Sequence, residues 1–324
     1  MSIERRRFLQ LGAAAALPAM PHIARADTYP SKPVHVVVGF AAGSASDINA
    51  RVISQYLSEK LGQNFLVDNR SGAGGNIASE AVVRSAADGY TLLYASTAIA
   101  INTTLYEGKI SFDVQRDLVP VAAAVRTPVV MEVSPEFPVK TVPEFIAYAK
   151  ANPGKINMAT VGAGSLQHLC IEYFKMMTGV DMVPVHYRGA APAITDMIAG
   201  RVQGMFDVVV SSISFIKGGK LRVLAVTPTR QEVLPGVPTI AESVPGYEAA
   251  GWQGFCAPRG TPPDIVAKLN QEVNAALADP KIKARIAELG GQPSPGTPAA
   301  FSQFIASETD KWGKVVRQAG VKAD

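Results

Sequence analysis

The chain has 324 residues, 48% of them hydrophobic, and 31 lysines and arginines against 27 aspartates and glutamates give it a formal net charge of +4. Residues 1–26 hold four arginines and one glutamate, so the remaining chain is near +1 and keeps no basic block of the kind that binds nucleic acid. The chain has four histidines and two cysteines, which are few for a metal cluster or a disulfide framework.

The N-terminus has the layout of an export signal. Arg5 and Arg6 are followed, after one spacer residue, by Phe8 and Leu9. An apolar run then covers residues 11–19, and residues 24–26 form a small-x-small cleavage site. The arginine pair matches the twin-arginine export pattern. Because the apolar run is shorter than the ~20 residues of a membrane span, we expect residues 1–26 to be removed and the mature protein to occupy the periplasm.

Strand and helix patterns alternate through the next hundred residues, which indicates an α/β fold with largely parallel sheets. Strands are predicted at residues 34–38, 65–67 and 91–95. One helix follows the first strand and ends at Gly62, and another opens from the glycine-rich turn at residues 71–75.

The same alternation begins again near Val129. It predicts strands at residues 129–133, 156–161, 182–185, 205–208 and 221–226. The first helix between them starts at the capping box of Thr141 and Glu144, and a later one starts at Pro192.

The pattern changes near residues 251–255. From Thr261 onward three helices are predicted without strands between them, the first capped by residues 261–264 and the others starting at Pro280 and Pro298. Their apolar faces need a surface to cover, and the first sheet provides one. We therefore expect one lobe from residues 27–125 and 249–324, and a second lobe from residues 126–248. Two crossings between lobes suit hinge closure around a ligand.

The two cysteines, Cys170 and Cys256, fall in different predicted lobes. An oxidising compartment permits a disulfide, but this separation favours two buried free thiols.

The loops after the predicted strands are small, glycine-rich and hydroxyl-bearing, and each leads into a helix. In open α/β sheets ligands bind beyond the carboxyl ends of the strands, where helix N-termini attract anions. The candidate contacts in the first half are Phe40, Ser44, Ala45, Ser46, Asp47, Asn76, Ser96 and Thr97. Those in the second half are Gly164, Ser165, His168, Arg188, Gly189, Ala190 and Asp207.

Structural roles compete with ligand contact at several of these positions. Ser44 and Asp47 have the spacing of a helix cap. Arg188 can pair bidentately with a carboxylate, but an arginine there is also typical of a solvated loop. Residues 71–76 lack the lysine and the glycine frame of a nucleotide-binding loop, so no cofactor is expected.

An enzyme is the main alternative to a binding protein. Ser165 and His168 are the strongest candidates for a nucleophile and its general base. With these roles, the chain would be a periplasmic hydrolase. However, residues 162–166 do not form a G-x-S-x-G elbow, and no acid is placed to orient the histidine. The sequence therefore favours a receptor that performs no chemistry and needs no metal.

Taken together, these features resemble those of the Bug receptors, the periplasmic solute-binding components of tripartite tricarboxylate transporters. The resemblance runs from Tyr29 to the C-terminal helices. The segments that carry it, in order, are DNRSGAGGN at 68–76, DGYTLL at 88–93, VHYRG at 185–189, MFD at 205–207, GKLRVLAV at 219–226 and VPTIAE at 237–242.

This resemblance implies a two-lobed Venus-flytrap fold of type II, with a carboxylate in the cleft between the lobes. In the family, the loop matching residues 40–47 holds the carboxylate, partly through ordered water. Loops matching residues 164–165 and 189–191 meet the other end of the ligand. The expected protein is a monomer that serves a large and a small membrane subunit of the transporter, or a sensor that signals to a membrane kinase. Dicarboxylates, tricarboxylates, acidic amino acids and aromatic acids all remain open as ligands.

Overall fold

The computed structural model describes residues 29–323, so the export signal predicted at residues 1–26 lies outside the described residues. Its first elements alternate strand and helix, as the sequence predicts. The strands are β1 (Val34–Val38), β2 (Phe65–Asn69) and β3 (Thr91–Ser96), which pair in parallel in the order β2-β1-β3. The helices are α1 (Ala45–Leu61), α2 (Asn76–Val83), α3 (Thr97–Leu105) and the short α4 (Val114–Asp117).

The residues that begin and end α1 are those indicated by the sequence. Ser44 Oγ accepts a hydrogen bond from the backbone N–H of Asp47 at 3.3 Å, and Gly62 ends the helix with a φ of 69°. That left-handed conformation strains residues with a side chain, which explains the glycine.

A second group of elements follows the long strand β4 (Leu118–Val133). Its strands are β5 (Asn157–Thr160), β6 (Val183–His186), β7 (Gly204–Val208) and β8 (Arg222–Thr227). Its helices are α5 (Val142–Ala151), α6 (Leu166–Thr178), α7 (Ala190–Ile198) and α8 (Val209–Lys217). β5 pairs in parallel with β6 and β7, whereas β4 pairs antiparallel with β7 and β8.

The chain then returns through β9 (Ala250–Pro258), which lies between β3 and β4 and is antiparallel to both. Three helices complete the fold, α9 (Pro263–Ala278), α10 (Pro280–Glu288) and α11 (Pro298–Ala319). The prediction of three helices is confirmed, but the expectation that no strand interrupts them is wrong. The two-residue strand β10 (Gln292–Pro293) lies between α10 and α11 and pairs with β4.

The strand predicted at residues 129–133 is only the last part of β4, which spans 16 residues. Its earlier part contains Pro120, Pro128 and several alanines, residue types that are depleted in strands. Pairing with β9 imposes the extended conformation there, with register shifts between Pro120 and Ala122 and between Ala123 and Val125. Bulges of this kind let a strand accommodate proline.

One predicted helix start and one predicted helix cap are also wrong. α7 begins at Ala190 rather than Pro192, because proline is tolerated anywhere in a first turn whose N–H groups have no helical partner. α9 begins after Pro262, which makes no side-chain cap. The Thr261 hydroxyl donates to the Pro258 carbonyl at 2.8 Å instead of capping the helix.

The C-terminal helices cover both faces of the sheet formed by β1, β2 and β3. Val36 and Val38 pack in one core cluster with apolar residues of α9 and α10, whereas Val37 packs in another with residues of α11. Adjacent strand residues point to opposite faces, so the sheet is buried on both sides. Cys170 and Cys256 are buried free thiols, which confirms that prediction.

We call β1–β3, β9, β10, α1–α4 and α9–α11 the first lobe, and β5–β8 with α5–α8 the second lobe. β4 pairs with β9 up to residue 128 and with β7 and β8 from residue 129, so it belongs to both. The boundaries at residues 125/126 and 248/249 stay a prediction. Within residues 29–323 no helix has the length and hydropathy needed to cross a membrane.

Candidate ligand-binding cleft

A cavity of about 410 Å³ lies between the two lobes. Its first-lobe wall comes from the loops after β1 and β3 and from residues 251–253 of β9, and its second-lobe wall comes from residues 161–167, 208 and 210. A larger groove of about 730 Å³ runs past Arg230, Glu232 and Lys283. We take the smaller cavity as the candidate site because it collects strand ends and helix starts from both lobes, where α/β proteins bind ligands.

Four helices begin at this cavity. The first-turn residues that line it are Ala45 and Ser46 of α1, Thr97 and Ala98 of α3, Leu166 and Gln167 of α6, and Val210 of α8. The N-terminus of a helix carries partial positive charge and free N–H groups, so it stabilises an anion. Among the described residues that line the cavity there is no Asp, Glu, Lys, Arg or His.

Three of the lining side-chain hydroxyls of the first lobe stand at or directly before a helix start, and we call them the hydroxyl cluster: Ser46, Ser96 and Thr97. Ser46 Oγ accepts from Gln253 Nε2 at 3.1 Å, and Thr97 Oγ1 accepts from the Trp252 backbone N–H at 2.8 Å. Ser96 Oγ accepts from the Ala98 N–H at 3.4 Å. Within residues 29–323 none of the three hydroxyls donates to another protein group, so each keeps a proton for a ligand.

Gln253 fixes the orientation of Ser46. The Gln253 side-chain oxygen accepts from Asn49 Nδ2 at 2.9 Å and from the Tyr94 hydroxyl at 3.2 Å. In the structure both partners donate to the amide oxygen, so the amide nitrogen faces Ser46. The serine lone pair is therefore occupied, and its proton is left for the cavity.

The second-lobe polar groups are largely engaged with one another. Ser165 Oγ donates to the Gly162 carbonyl at 2.8 Å and accepts from the His168 backbone N–H at 3.2 Å. The Gly164 N–H donates to His168 Nδ1 at 3.1 Å. Burial, with His186 and Lys175 nearby, lowers the pKa of His168 to about 4, so the ring is neutral at pH 7. The Ser165 hydroxyl meets the His168 backbone rather than its ring, which is not the geometry of a nucleophile and its base.

Behind this wall lies a buried acidic pair, Asp207 and Glu132. Asp207 Oδ1 accepts from Gln167 Nε2 at 3.2 Å and from the Val208 N–H at 2.8 Å. Ser212 Oγ lies 2.7 Å from Glu132 Oε1 and 3.4 Å from Asp207 Oδ2. Burial raises the pKa of both acids, to about 6 for Asp207, where hydrogen bonds oppose it, and to about 8 for Glu132 beside Asp207. Burial therefore favours the protonated form of this acidic pair, and more strongly on Glu132 than on Asp207.

Glu132→Gln is expected to remove a pH dependence of stability. Glu132 has a pKa of about 8 when folded and 4.5 as its ordinary value, so between these values the native state holds a proton that the unfolded chain has released. The contribution of Glu132 to the free energy of unfolding is therefore complete below pH 4.5. It decreases as the pH rises toward 8, by at most about 1.4 kcal/mol per pH unit. Glutamine imitates the protonated acid and does not titrate. Urea unfolding at pH 6, 7 and 8 measures the effect. The free energy of unfolding of the variant should increase relative to that of the wild type as pH rises.

The exposed residue Glu136 offers a matched control for this series. Glu136→Gln should give a stability profile parallel to that of the wild type. Parallel profiles for Glu132→Gln as well would show that Glu132 is already ionised at pH 7.

The cavity brings together seven of the sequence-predicted contacts, and contact with a ligand stays a prediction for all of them. They are Phe40, Ala45, Ser46, Ser96, Thr97, Gly164 and Ser165. The others lie outside its lining: Ser44, Asp47, Asn76, His168, Arg188, Gly189, Ala190 and Asp207. Arg188 is exposed, and Asn76 is buried with its Oδ1 accepting from Asn102 Nδ2 at 3.0 Å.

Ser44 and Asp47 act within their own loop, as the capping alternative indicated. The buried Asp47 carboxylate accepts from the Gly43 N–H at 2.9 Å, from Arg51 Nε at 3.0 Å and from Asn69 Nδ2 at 2.9 Å. Burial alone would raise the pKa of Asp47, but these hydrogen bonds and the Arg51 charge hold it below its usual value. The carboxylate thus fixes the loop at Gly43 to the first turn of α1, in which Ser46 lies.

The two lobes touch on either side of the cavity. A Cβ atom placed on Gly164 would lie 2.4 Å from Leu105 Cδ2, and one placed on Gly290 would lie 2.6 Å from Val210 Cβ. Gln292 Nε2 also donates to Gln231 Oε1 at 2.9 Å. The structure therefore shows the lobes in contact, with a glycine at two of the contact points.

Comparison with known proteins places the chain among transport receptors. Residues 49–321 match the model of the tripartite tricarboxylate transporter family receptor. The chain is 37% identical to Protein BugT of Bordetella pertussis over 92% of each protein. Among solved structures, Rpa4515 of R. palustris with adipate has a TM-score of 0.76 and 38% identity, and the match covers 91% of this chain and 99% of that one. MatC (Rpa3494) from Rhodopseudomonas palustris with bound malate has a TM-score of 0.73 and 32% identity, covering 89% of this chain and 100% of that one.

Proposed function

The chain belongs to the tripartite tricarboxylate transporter receptor family of solute-binding proteins, and on that premise we propose that it captures a small carboxylate in the cleft between its lobes. It does so in the periplasm, after export by the twin-arginine route, and releases the ligand unchanged. The partners in this proposal are the large and small membrane subunits of a transporter, to which the closed, ligand-loaded monomer delivers its cargo.

The observation that supports the carboxylate most strongly is the hydroxyl cluster beside two helix N-termini. Ser46 and Thr97 are buried, and each has its acceptor side occupied while its proton faces no protein group in the described residues. They stand in the first turns of α1 and α3, whose N–H groups and dipoles favour negative charge. Hydrogen bonds to a charged acceptor are about twice as strong as neutral ones. The relatives whose structures contain adipate and malate bind ligands of this class.

A library of carboxylic acids tests the proposal, with each acid paired with its neutral amide. Ligands present at 100 times their dissociation constant raise the free energy of unfolding by about 2.7 kcal/mol, which a thermal shift detects. At least one acid should raise the melting temperature while its amide does not. A library in which amides work as well as acids, or in which no acid works, would contradict carboxylate capture.

Ser46→Ala is expected to weaken the best acid from that library by roughly tenfold to a hundredfold, the equivalent of about 1.5–3 kcal/mol for one charge-assisted hydrogen bond. Isothermal titration calorimetry measures the change. Ser302→Ala replaces an exposed serine on α11 and should leave affinity unchanged. An unaltered dissociation constant in Ser46→Ala would remove this hydroxyl from the site.

A further inference from the structure

Helix α3 lines the cavity along most of its length. Its first residue, Thr97, belongs to the hydroxyl cluster, and the lining residues that follow are Ala98, Ile101, Asn102 and Leu105. Residues three or four positions apart share one face of a helix, so these side chains form a single wall. Leu105, at the far end, is the residue that meets Gly164 of the second lobe. A ligand that extends from the hydroxyl cluster toward the second lobe therefore passes along this wall.

Asn102 is the one polar side chain on this wall after Thr97, and the orientation of its amide is fixed. Its Nδ2 donates to the Gly74 carbonyl and to Asn76 Oδ1, both at 3.0 Å. An amide nitrogen has two protons, so both are used. Because a backbone carbonyl can only accept, the nitrogen must face Gly74 and cannot exchange places with the oxygen. The group that Asn102 has left for a ligand is the acceptor Oδ1.

This oxygen is open to the cavity. Within residues 29–323, Asn102 Oδ1 accepts no hydrogen bond from a protein group, and it is not among the five side-chain atoms that are fully buried without a partner. Asn102 is only 5% exposed and lines the cavity, so the cavity is the place from which the oxygen can be reached. An acceptor enclosed there by a ligand without a donor loses its water and gains no hydrogen bond in return, which costs free energy.

The position of Asn102 on α3 determines where a ligand must carry its donor. Asn102 comes five positions after Thr97, which corresponds to a rise of about 7.5 Å along the helix. When a ligand carboxylate binds the hydroxyl cluster, a donor on the adjacent carbon stays beside that cluster, whereas a donor at the far end of the ligand can reach Asn102. Gln167 does not discriminate in this way, because among the described residues its amide keeps one proton as well as its oxygen free.

We infer that Asn102 is a specificity residue and that the ligand carries a hydroxyl at the end opposite its carboxylate. The carboxylate binds the hydroxyl cluster, the body of the ligand follows the apolar residues of α3, and the distal hydroxyl donates to Asn102 Oδ1. A hydroxyl fits better than an ammonium, because the described residues that line the cavity include no acid to balance a positive charge. This inference rests on the proposed function and deepens it.

Calorimetry with four six-carbon acids tests the inference: hexanoate, 2-hydroxyhexanoate, 6-hydroxyhexanoate and 6-methoxyhexanoate. The chain length is that of adipate, which the structure of one relative contains. The 2-hydroxy acid has its donor at the wrong end, and the methoxy acid has the distal oxygen without its proton. 6-Hydroxyhexanoate should therefore bind at least about fivefold more tightly than each of the other three.

Two variants separate recognition by Asn102 from a general loss of structure. Asn102→Leu keeps the volume of the side chain and removes the acceptor, so 6-hydroxyhexanoate and hexanoate should bind equally. Asn76→Ala removes a partner of the same amide but leaves Oδ1 in place, held by Gly74. The preference for 6-hydroxyhexanoate should therefore persist in Asn76→Ala, even if both dissociation constants rise. If Asn102→Leu does not fold, the comparison of the four acids on the wild type decides alone.

The failures of this inference and of the proposed function are distinguishable. If 2-hydroxyhexanoate or 6-methoxyhexanoate binds as tightly as 6-hydroxyhexanoate, or if the preference survives in Asn102→Leu, the role of Asn102 is wrong and carboxylate capture stands. Tighter binding of 6-aminohexanoate would overturn the hydroxyl in favour of an ammonium. If none of the six-carbon acids binds while other acids of the library do, the inference also falls and the proposed function survives. A library in which no acid binds overturns both.

Discussion

Gly164→Ala is expected to raise the dissociation constant of the ligand by about 100-fold or more, because it prevents the lobes from closing. The new Cβ atom would lie 2.4 Å from Leu105 Cδ2 on the opposite lobe, well inside any real contact. Either the tip of the Leu105 side chain shifts into the cavity that it lines, or the lobes separate. A ligand held by groups from both lobes then loses one set of contacts and is exposed to water.

The backbone at Gly164 adds a second cost that must be separated from the first. Its φ of 71° lies in the left-handed region, where alanine costs about 1–2 kcal/mol. Gly179 is a matched control, since its φ is 68° and a Cβ there would meet nothing within 4 Å. Gly179→Ala should therefore lose similar stability and keep its affinity.

Leu105→Ala combined with Gly164→Ala completes a double-mutant cycle. If the overlap is the cause, the second substitution makes room and the two affinity losses should be far from additive. Small-angle scattering should show a larger radius of gyration for Gly164→Ala in the presence of ligand, and a return toward the wild-type value in the double variant. Additive losses with unchanged scattering would refute a closure defect.

Glu308→Ala is expected to have the largest effect on stability. It should lower the free energy of unfolding by about 3–5 kcal/mol, because it leaves buried N–H groups without an acceptor. Glu308 Oε2 accepts from Trp252 Nε1 at 3.2 Å and from Trp312 Nε1 at 2.9 Å, and both indoles are buried. Its other oxygen pairs with Lys311. Without the carboxylate, the two indole N–H groups lose their partner, and the Lys311 ammonium keeps only the Glu248 carbonyl, to which it donates at 3.0 Å.

The contact between Glu308 and Trp252 also affects the cleft. Trp252 lines the cavity, and its backbone N–H donates to Thr97 of the hydroxyl cluster. Loosening its ring should therefore weaken ligand binding as well as lower the free energy of unfolding in urea. Trp252 belongs to β9 and Glu308 to α11, so this hydrogen bond links a C-terminal helix to the wall of the site.

Two variants calibrate the Glu308→Ala result. Glu308→Gln keeps an oxygen that accepts from the indoles, so its free energy of unfolding should fall less than that of Glu308→Ala. Glu288→Ala removes an exposed ion pair with Arg285, 2.7 Å apart, and should cost less than about 1 kcal/mol. A loss in Glu308→Ala no larger than in Glu288→Ala would mean that the indole contacts contribute little.

The candidate site was only partly predictable from the sequence. Ser46 and Thr97 were predicted because hydroxyls that follow a strand and begin a helix are a local pattern. Gln253 was not, because its partner Asn49 is 204 positions away and no short segment contains the pair. Leu105 and Val210 were missed for the same reason, since an apolar residue near a helix terminus looks like core until the other lobe is placed against it.

The sequence by itself determined the α/β alternation, the caps such as Ser44 and Gly62, and the family, because each depends on neighbours along the chain. Only the tertiary structure decided that residues 118–128 and 250–258 are long paired strands, that Gly164 faces Leu105, and that Asp207 is buried behind the cleft wall. Those facts depend on groups far apart in the sequence. Their energies come from burial and from hydrogen-bond partners, which exist only once the chain has folded.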